Sequence, residues 1–442
     1  MYWVGVDVGG TFTDVVLYDD SSGELRVLKT PSTPSDQSDG ILKGVGMLGI
    51  DAAKIVRFGH GSTVATNTAL ERNGARLAVI VTEGHRDILI VGRGNREALY
   101  NIKARQPASI VRRDYCIEIT ERVCFLHSYA NPSHEKRVAM KARAALPNAA
   151  VTASHEVVPE YREHERFFTT ALNAYIAPRM RRYLSELRTK LAATGCKSGV
   201  SIMTSNGGVL PDRRIEELPA LSMLSGRAAG VNAACFVGKA TGFRNLITYD
   251  MGGTSTEVCV IRNGAFGMTA LGRVGAFPTK IQQIDINSVG AGGGSIASIG
   301  AGGVLTVGPR SAGAVPGPAG YGRGGSEPTV TDANIVLGRL GTEELLGGEI
   351  RLDRNKAETA VAALAERLKL TNIAMAEGII RIAVTNMTAA IKEISVMRGL
   401  DPRDYALLAY GGAGPLHAVA IAEELGIKTV LVPPMPGNFS AF

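Results

Sequence analysis

Two stretches hold residues whose types and spacing suggest chemistry. DVGGTFTDVVLY begins at Asp7 and DMGGTSTEVCVI begins at Asp250. When they are aligned, Asp7/Asp250, Gly9/Gly252, Gly10/Gly253, Thr11/Thr254, Thr13/Thr256 and Val15/Val258 are identical, and Asp14/Glu257 keeps its charge. Each copy reads as strand, Asp-x-Gly-Gly-Thr turn, strand. Glycines let backbone amides approach an anion closely, and a threonine hydroxyl adds a donor. A carboxylate at a strand end can hold a hydrated magnesium ion. One copy alone is an ordinary tight hairpin; two in matched context suggest paired grips facing each other across a β- and a γ-phosphate. Asp7 and Asp250 are therefore the candidate catalytic residues and, through water, the candidate magnesium holders, with Asp250 alternatively orienting a substrate. Gly9, Gly10, Thr11, Thr13, Gly252, Gly253 and Thr254 are the candidate phosphate contacts. Asp14 and Glu257 fall on the strand face opposite Thr13 and Thr256 and read equally well as salt-bridged structure.

A third glycine cluster, AYGGAGPLHA (409–418), follows a strand and opens a helix through Pro415, a good first-turn residue. Gly411, Gly412 and Gly414 would let an adenosine lie against the backbone; a plain strand-to-helix turn is the alternative. His60, with Ser62, Thr63 and Asn67, opens a helix whose N-terminus could face a substrate. Arg93 and Arg96 could hold an anionic group, or be exposed loop arginines without a special role. GVGMLG (44–49) matches a dinucleotide fingerprint but has no strand before it. The chain holds no P-loop, Gly-x-Ser-x-Gly or His-Glu-x-x-His motif, and its histidines form no evident metal cluster.

The elements that must position these residues alternate. Strands are expected at Val4–Val8, Thr13–Tyr18 and Leu25–Lys29, a helix from Gln37 to Met47, and another from Thr63 to Arg72 leading into a strand at 77–82. Arg162 to Leu191 carries apolar residues at helical spacing and is expected to join two halves of the molecule. A new strand series begins at 198–208, helices return at 331–340, 355–369 and 372–398, and 405–434 reads strand, loop, helix, strand. Such alternation predicts an α/β fold with mixed sheets.

At 442 residues, with 45% hydrophobic and 20% charged side chains, the composition fits two or three globular domains. The 53 glycines exceed a usual share of roughly 7% and sit in loop-like runs such as GAGGGSIASIGAGG. The charge of +7 comes from scattered arginines without interleaved aromatics, which argues against nucleic acid. Five cysteines with no Cys-x-x-Cys pair and no signal peptide at the start suggest a cytoplasmic protein. No apolar run in the sequence approaches the ~20 residues that span a bilayer.

Paired phosphate hairpins with an adenosine loop resemble the actin-like ATPase superfamily. A narrower resemblance, to the hydantoinase A / 5-oxoprolinase family, covers nearly the whole chain. It rests on DVGGTFTD (7–14), HGSTVATNTALERNGARLAVIVTEGHRDIL (60–89), LHSYANPSHE (126–135), TSNGGV (204–209), YDMGGTSTEV (249–258), VGAGGGSIA (289–297), GPAGYGRGGSEPTVTDANIVLGRL (317–340) and YGGAGPLHA (410–418).

The resemblance implies a two-lobed, ribonuclease H-like fold with a nucleotide cleft between lobes 1–192 and 193–442, the cleft closing on nucleotide. The final helix is expected to pack back on the first lobe. The implied chemistry uses ATP and Mg2+ to phosphorylate the carbonyl oxygen of a hydantoin, 5-oxoproline or lactam for ring opening. A B-type subunit as partner and a hetero-oligomeric assembly go with it. Relatives that carboxylate ketones offer a second activity, and a chaperone-like ATPase switch a third. Asp285 and Asn287 join the substrate candidates through the resemblance, Asn287 standing where the family usually has histidine. Arg227 stands where a proline is common, in what reads as a loop between lobes. Family chains usually continue beyond residue 442, and residues are expected to be missing around Val123–Cys124.

Overall fold

A computed structural model describes residues 1–9, 12–33, 36–94, 108–119, 126–341, 345–346 and 350–442. Gly10, Thr11, Arg96 and the Val123–Cys124 junction lie outside them. The chain forms two compact units: Met1–Ile50 with Ala229–Gly267 and Asp285–Phe442, and Asp51–Ala228 with Met268–Ile284. The expected boundary at 192/193 falls inside the second unit. Both Asp-x-Gly-Gly-Thr stretches and the 409–418 cluster belong to the first.

In the first unit, Tyr2–Val8, Phe12–Asp19 and Glu24–Pro31 form an antiparallel meander; in its first strand the buried Val4, Val6 and Val8 alternate with less covered residues. The helix Gln37–Met47 has the expected bounds because Asp36 accepts from the Ser38 amide at its N-terminus. A mixed sheet runs Ala265–Phe266, Thr256–Arg262, Leu246–Met251, Ala406–Tyr410, Val430–Leu431. Its first three strands are antiparallel, and Ala406–Tyr410 is parallel to both its neighbours. Ala406–Tyr410 is buried along its whole length, as a strand covered on both faces must be.

The core of this unit joins that sheet to the helices Val330–Val336, Arg354–Leu368, Asn372–Ile394 and Gly414–Leu425. By length and composition Asn372–Arg398 could cross a membrane, which the sequence pattern had not suggested, but half of its apolar window is buried inside the protein. Met375, Ile379, Met387 and Ile391 are fully covered, so the helix serves as core. The last helix, Gly414–Leu425, packs on its own sheet rather than on the opening segment. The residues after it make that return: the 3-10 turn Pro436–Ala441 packs on the meander.

In the second unit, Ile55–Gly61 runs parallel to Val200–Met203, which pairs antiparallel with Val209–Pro211. The 31-residue helix Glu163–Ala193 lies wholly inside this unit. It buries Phe167, Leu172, Ile176, Met180, Leu184 and Leu187, so it is the core of one unit and not a connector between two. The LHSYANPSHE stretch is structural. Buried Glu135 accepts from the Ser154 hydroxyl and the His155 amide and pairs with His155 Nδ1, tying helix Ser133–Ala145 to the turn at 154–157. Arg227 lies in the first turn of helix Ser225–Thr241, where proline is also tolerated, so the departure from the family pattern is locally neutral. Cys116, Cys196, Cys235 and Cys259 are free thiols.

Candidate nucleotide site

The two hairpins share one register. Asp7 faces Asp14 and Val8 faces Thr13; Asp250 faces Glu257 and Met251 faces Thr256. Both close with the same bond, from the Gly9 amide to the Phe12 carbonyl at 2.9 Å and from the Gly252 amide to the Ser255 carbonyl at 3.0 Å. Gly253 and Thr254 form the tip of the second hairpin. They are exposed, and their amides make no hydrogen bond among the described residues. Two unpaired N–H groups and a hydroxyl on a rigid turn are what an anion needs.

The glycine run after the second hairpin backs that turn. The Gly293 amide donates to the Gly252 carbonyl at 3.0 Å and the Gly294 amide to the Gly253 carbonyl at 2.6 Å. A Cβ on Gly292 would lie 2.7 Å from backbone atoms of Gly253, Thr254 and Ser255, so only glycine fits there. This supporting role was not read from the sequence, although the run itself was the available signal. Asp332, also missed, is fully buried and accepts from the amides of Gly320 and Thr329 and the Thr329 hydroxyl, pinning the 317–332 loop. Thr331 in turn donates to the Gly293 carbonyl.

At the glycine cluster, a Cβ on Gly411 would lie 2.3 Å from Asp250 Oδ1 and 2.6 Å from the Met251 carbonyl oxygen, and its φ is +82°. The turn therefore presses its backbone against the strand-end carboxylate. Gly412 is exposed with open space around it, while Gly414 is buried as the first residue of the helix. Gly411 thus packs on Asp250, Gly412 is open, and Gly414 serves the helix start.

Asp7 Oδ1 is buried with no hydrogen-bond partner among the described residues. Burial, with repulsion from Asp14 added, pushes the Asp7 carboxyl up to about 7 against the pull of Lys29. The orphaned oxygen suits a contact through water to a divalent cation, while among the described residues no group of three or more His, Cys, Asp or Glu could hold a metal directly. Asp14 is spoken for, paired with Lys29 and accepting from Asn438. Glu257 accepts from the hydroxyls of Ser255 and Ser288.

Other candidates belong elsewhere. Thr13 is fully buried and its hydroxyl bonds Ser32 at 3.1 Å, so it shapes the turn from below rather than touching phosphate. Thr256 is its counterpart, donating to the Ala291 carbonyl. Asp285 pairs with Arg398. Asn287 donates to the Ala390 carbonyl and to Glu393, holding a strand to helix Asn372–Ile394. His60 is buried against Tyr183 with Nε2 at 2.6 Å from the hydroxyl, as a packed core histidine is. Thr63 precedes and Asn67 lies on the seven-residue helix Val64–Leu70, joined by the Asn67 amide donating to the Thr63 carbonyl. Arg93 is paired with Glu165 at 2.5 Å. The structure thus brings Asp7, Asp250, both hairpin turns and the 411–414 turn into one unit, and gives Asp285, Asn287 and Arg93 packing partners.

The Hydantoinase/oxoprolinase family model matches residues 166–442, and its N-terminal-region companion matches residues 3–125. The chain belongs to the hydantoinase/oxoprolinase family. It is 37% identical to the caprolactamase subunit alpha of Pseudomonas jessenii, over all of this chain and 69% of that protein. The crystal structure of that organism's ATP-dependent caprolactamase matches with a TM-score of 0.85, covering all of this chain and 70% of that one. The chain is also 34% identical to the acetophenone carboxylase gamma subunit of Aromatoleum aromaticum, over 98% of this chain and 66% of the relative. With 5-oxoprolinase 1 of Arabidopsis thaliana it shares 31% identity over 99% of this chain and 40% of the relative. Members of this family thus include ATP-dependent amide hydrolases and subunits of ketone carboxylases.

Proposed function

We propose that this protein is the ATP-using subunit of a cyclic amidase. It transfers a phosphoryl group to the carbonyl oxygen of a hydantoin, 5-oxoproline or lactam. The observation that carries the nucleotide part is the second hairpin: free amides at Gly253 and Thr254 beside a carboxylate, Asp250, pressed against the Gly411 turn. The greater identity to a caprolactamase subunit than to a carboxylase subunit favours the amide.

An amide carbonyl is a poor electrophile. In the proposed step the β–γ bridging P–O bond of ATP breaks and a new P–O bond forms at the carbonyl oxygen, giving ADP and an activated imidate phosphate. Water adds to the carbon and the C–N bond opens with a proton passing to nitrogen, leaving an acyl phosphate, which a second water hydrolyses to the carboxylate and free phosphate. A B-type partner subunit carries out that hydrolysis. The amides of Gly253 and Thr254 hold phosphate oxygens, the Thr254 hydroxyl adds a donor, and Gly411 and Gly412 leave room for adenosine. Asp7 and Asp250 would hold a hydrated magnesium ion through water, and that ion would neutralise charge on the phosphates.

The test is ADP release from the protein with its B-type partner and MgATP, screened against hydantoin, 5-oxoproline, small lactams and ketones, with and without bicarbonate. Stimulation by one cyclic amide without bicarbonate is expected. A bicarbonate requirement with a ketone would make the protein a carboxylase subunit instead. Turnover that responds to no small molecule would sink the amidase reading.

A further inference from the structure

The turn Pro436–Ala441 touches both ends of the proposed nucleotide site within the first unit. At one end Asn438 Nδ2 donates to Asp14 Oδ1 at 2.8 Å and to the Leu28 carbonyl at 3.1 Å, while Lys29 Nζ pairs with Asp14 and donates to the Gly437 carbonyl at 3.2 Å. Asp14 is the residue directly across the first hairpin from Asp7. At the other end the Gly411 amide donates to the Pro436 carbonyl at 2.9 Å, and Gly411 is the residue packed against Asp250. The Phe439 ring lies 4.7 Å from that of Tyr410. Gly5, in the first strand, approaches the Ala441 carbonyl so closely that a Cβ there would lie 2.1 Å from it.

We propose that Lys29 and Asn438 form a latch that holds the strands of the first hairpin, at Asp14 and Leu28, in fixed relation to the 411–414 turn. Phosphate and adenosine recognition then act as one event. These are positioning residues: neither is assigned a contact with nucleotide. The reasoning is one of rigidity. A ligand that touches two loops must, on binding, fix their relative position unless the protein has already done so. Three hydrogen bonds and an ion pair, centred on Asn438 and Lys29, do that in advance. Asp14 is 14% and Lys29 24% exposed, so the pair is shielded enough for loss of one partner to be felt.

The inference rests on the nucleotide reading above, and the experiment separates the two. Calorimetry on the full chain measures MgADP affinity for wild type and Asn438→Ala, and competition against MgADP measures adenosine alone. If wild type binds no MgADP, the nucleotide reading itself falls and the latch with it. If it binds, Asn438→Ala is expected to weaken MgADP about tenfold and adenosine less than about twofold, because adenosine engages only one of the latched turns. Equal weakening of both ligands would mean general loosening, and unchanged MgADP affinity would mean no coupling; either result overturns the latch while leaving the nucleotide reading intact. Should Asn438→Ala not fold, Lys29→Met cuts the same latch from the meander side, with the same expected split.

Discussion

In the second hairpin the carbonyls of Gly252 and Gly253 accept from the amides of Gly293 and Gly294. In the first, the Gly9 carbonyl accepts from the Ser32 hydroxyl at 2.8 Å, and Thr13 bonds that same hydroxyl. One turn is thus backed by backbone with no room for a side chain, and its twin by a serine. Their carboxylates differ as well. Asp250 lies against the Gly411 backbone, whereas Asp7 has an orphaned oxygen and a raised proton affinity. The same local pattern is supported in two ways: the second hairpin is backed by backbone, and the first carries a buried carboxyl with an orphaned oxygen.

The largest expected effects fall on the carboxylates. Asp250→Asn should lower amide-stimulated turnover by on the order of 10³-fold, with the Tm of the free protein little changed. Asp7→Asn should lower turnover comparably, but its effect on the free protein has the opposite sign to ordinary damage. The folded Asp7 pKa, about 7, lies above the usual 3.8, so the folded state binds more protons than the unfolded between those values. Stability therefore falls as pH rises through that window. Removing the carboxylate should raise stability at pH 8 by on the order of 4 kcal/mol, with the two proteins converging near pH 4. Denaturant melts at both pH values check it; a less stable Asp7→Asn at pH 8 would mean that Asp7 is already neutralised by the protein itself.

Next come the two supports. Gly292→Ala forces a methyl into three backbone atoms of the second turn, and should cost about 10²-fold in turnover through misplacement alone. Ser32→Ala removes one hydroxyl from behind the first turn and should cost less than about tenfold, with a stability loss of about 1 kcal/mol. Equal losses in the two variants would erase the distinction between a backbone-built and a side-chain-built support.

These contrasts also mark what the sequence could reveal. The repeated Asp-x-Gly-Gly-Thr was legible because hairpin geometry is local: Asp7/Asp14 and Asp250/Glu257 pair across a two-residue turn whatever surrounds them. The helix at 37–47 was legible through its spacing, and the structure adds the Asp36 cap. Period-two alternation placed Thr13 opposite Asp14 but could not tell which face is covered, and Thr13 proved to be core. The Arg162–Leu191 pattern gave a helix but not its neighbours, so a core helix read as a connector. Asn438 carried no signal at all, since its partner Asp14 is 424 residues away. Asp285 and Asn287 were suggested by motif position, whereas their partners Arg398, Ala390 and Glu393 come from a helix distant in sequence.

A last test, on stability and not on turnover, reads the second hairpin's side by pH. His417 is fully buried in helix Gly414–Leu425, which packs on the strand carrying Asp250. Its Nδ1 has no partner among the described residues. Burial, with the charge of Arg339 added, lowers its pKa from 6.5 to about 4. Here the unfolded chain binds more protons between about 4 and 6.5, so stability is full above 6.5 and falls as pH drops through that window, by up to about 3 kcal/mol at its foot. His417→Gln should flatten the acid limb of a Tm-versus-pH curve, while Asp7→Asn should flatten only its rise toward alkaline loss. The two hairpins would then be destabilised from opposite ends of the pH scale. If His417→Gln left the acid limb unchanged, the imidazole would have to be partnered in solution, and the acid response would have to arise from other groups.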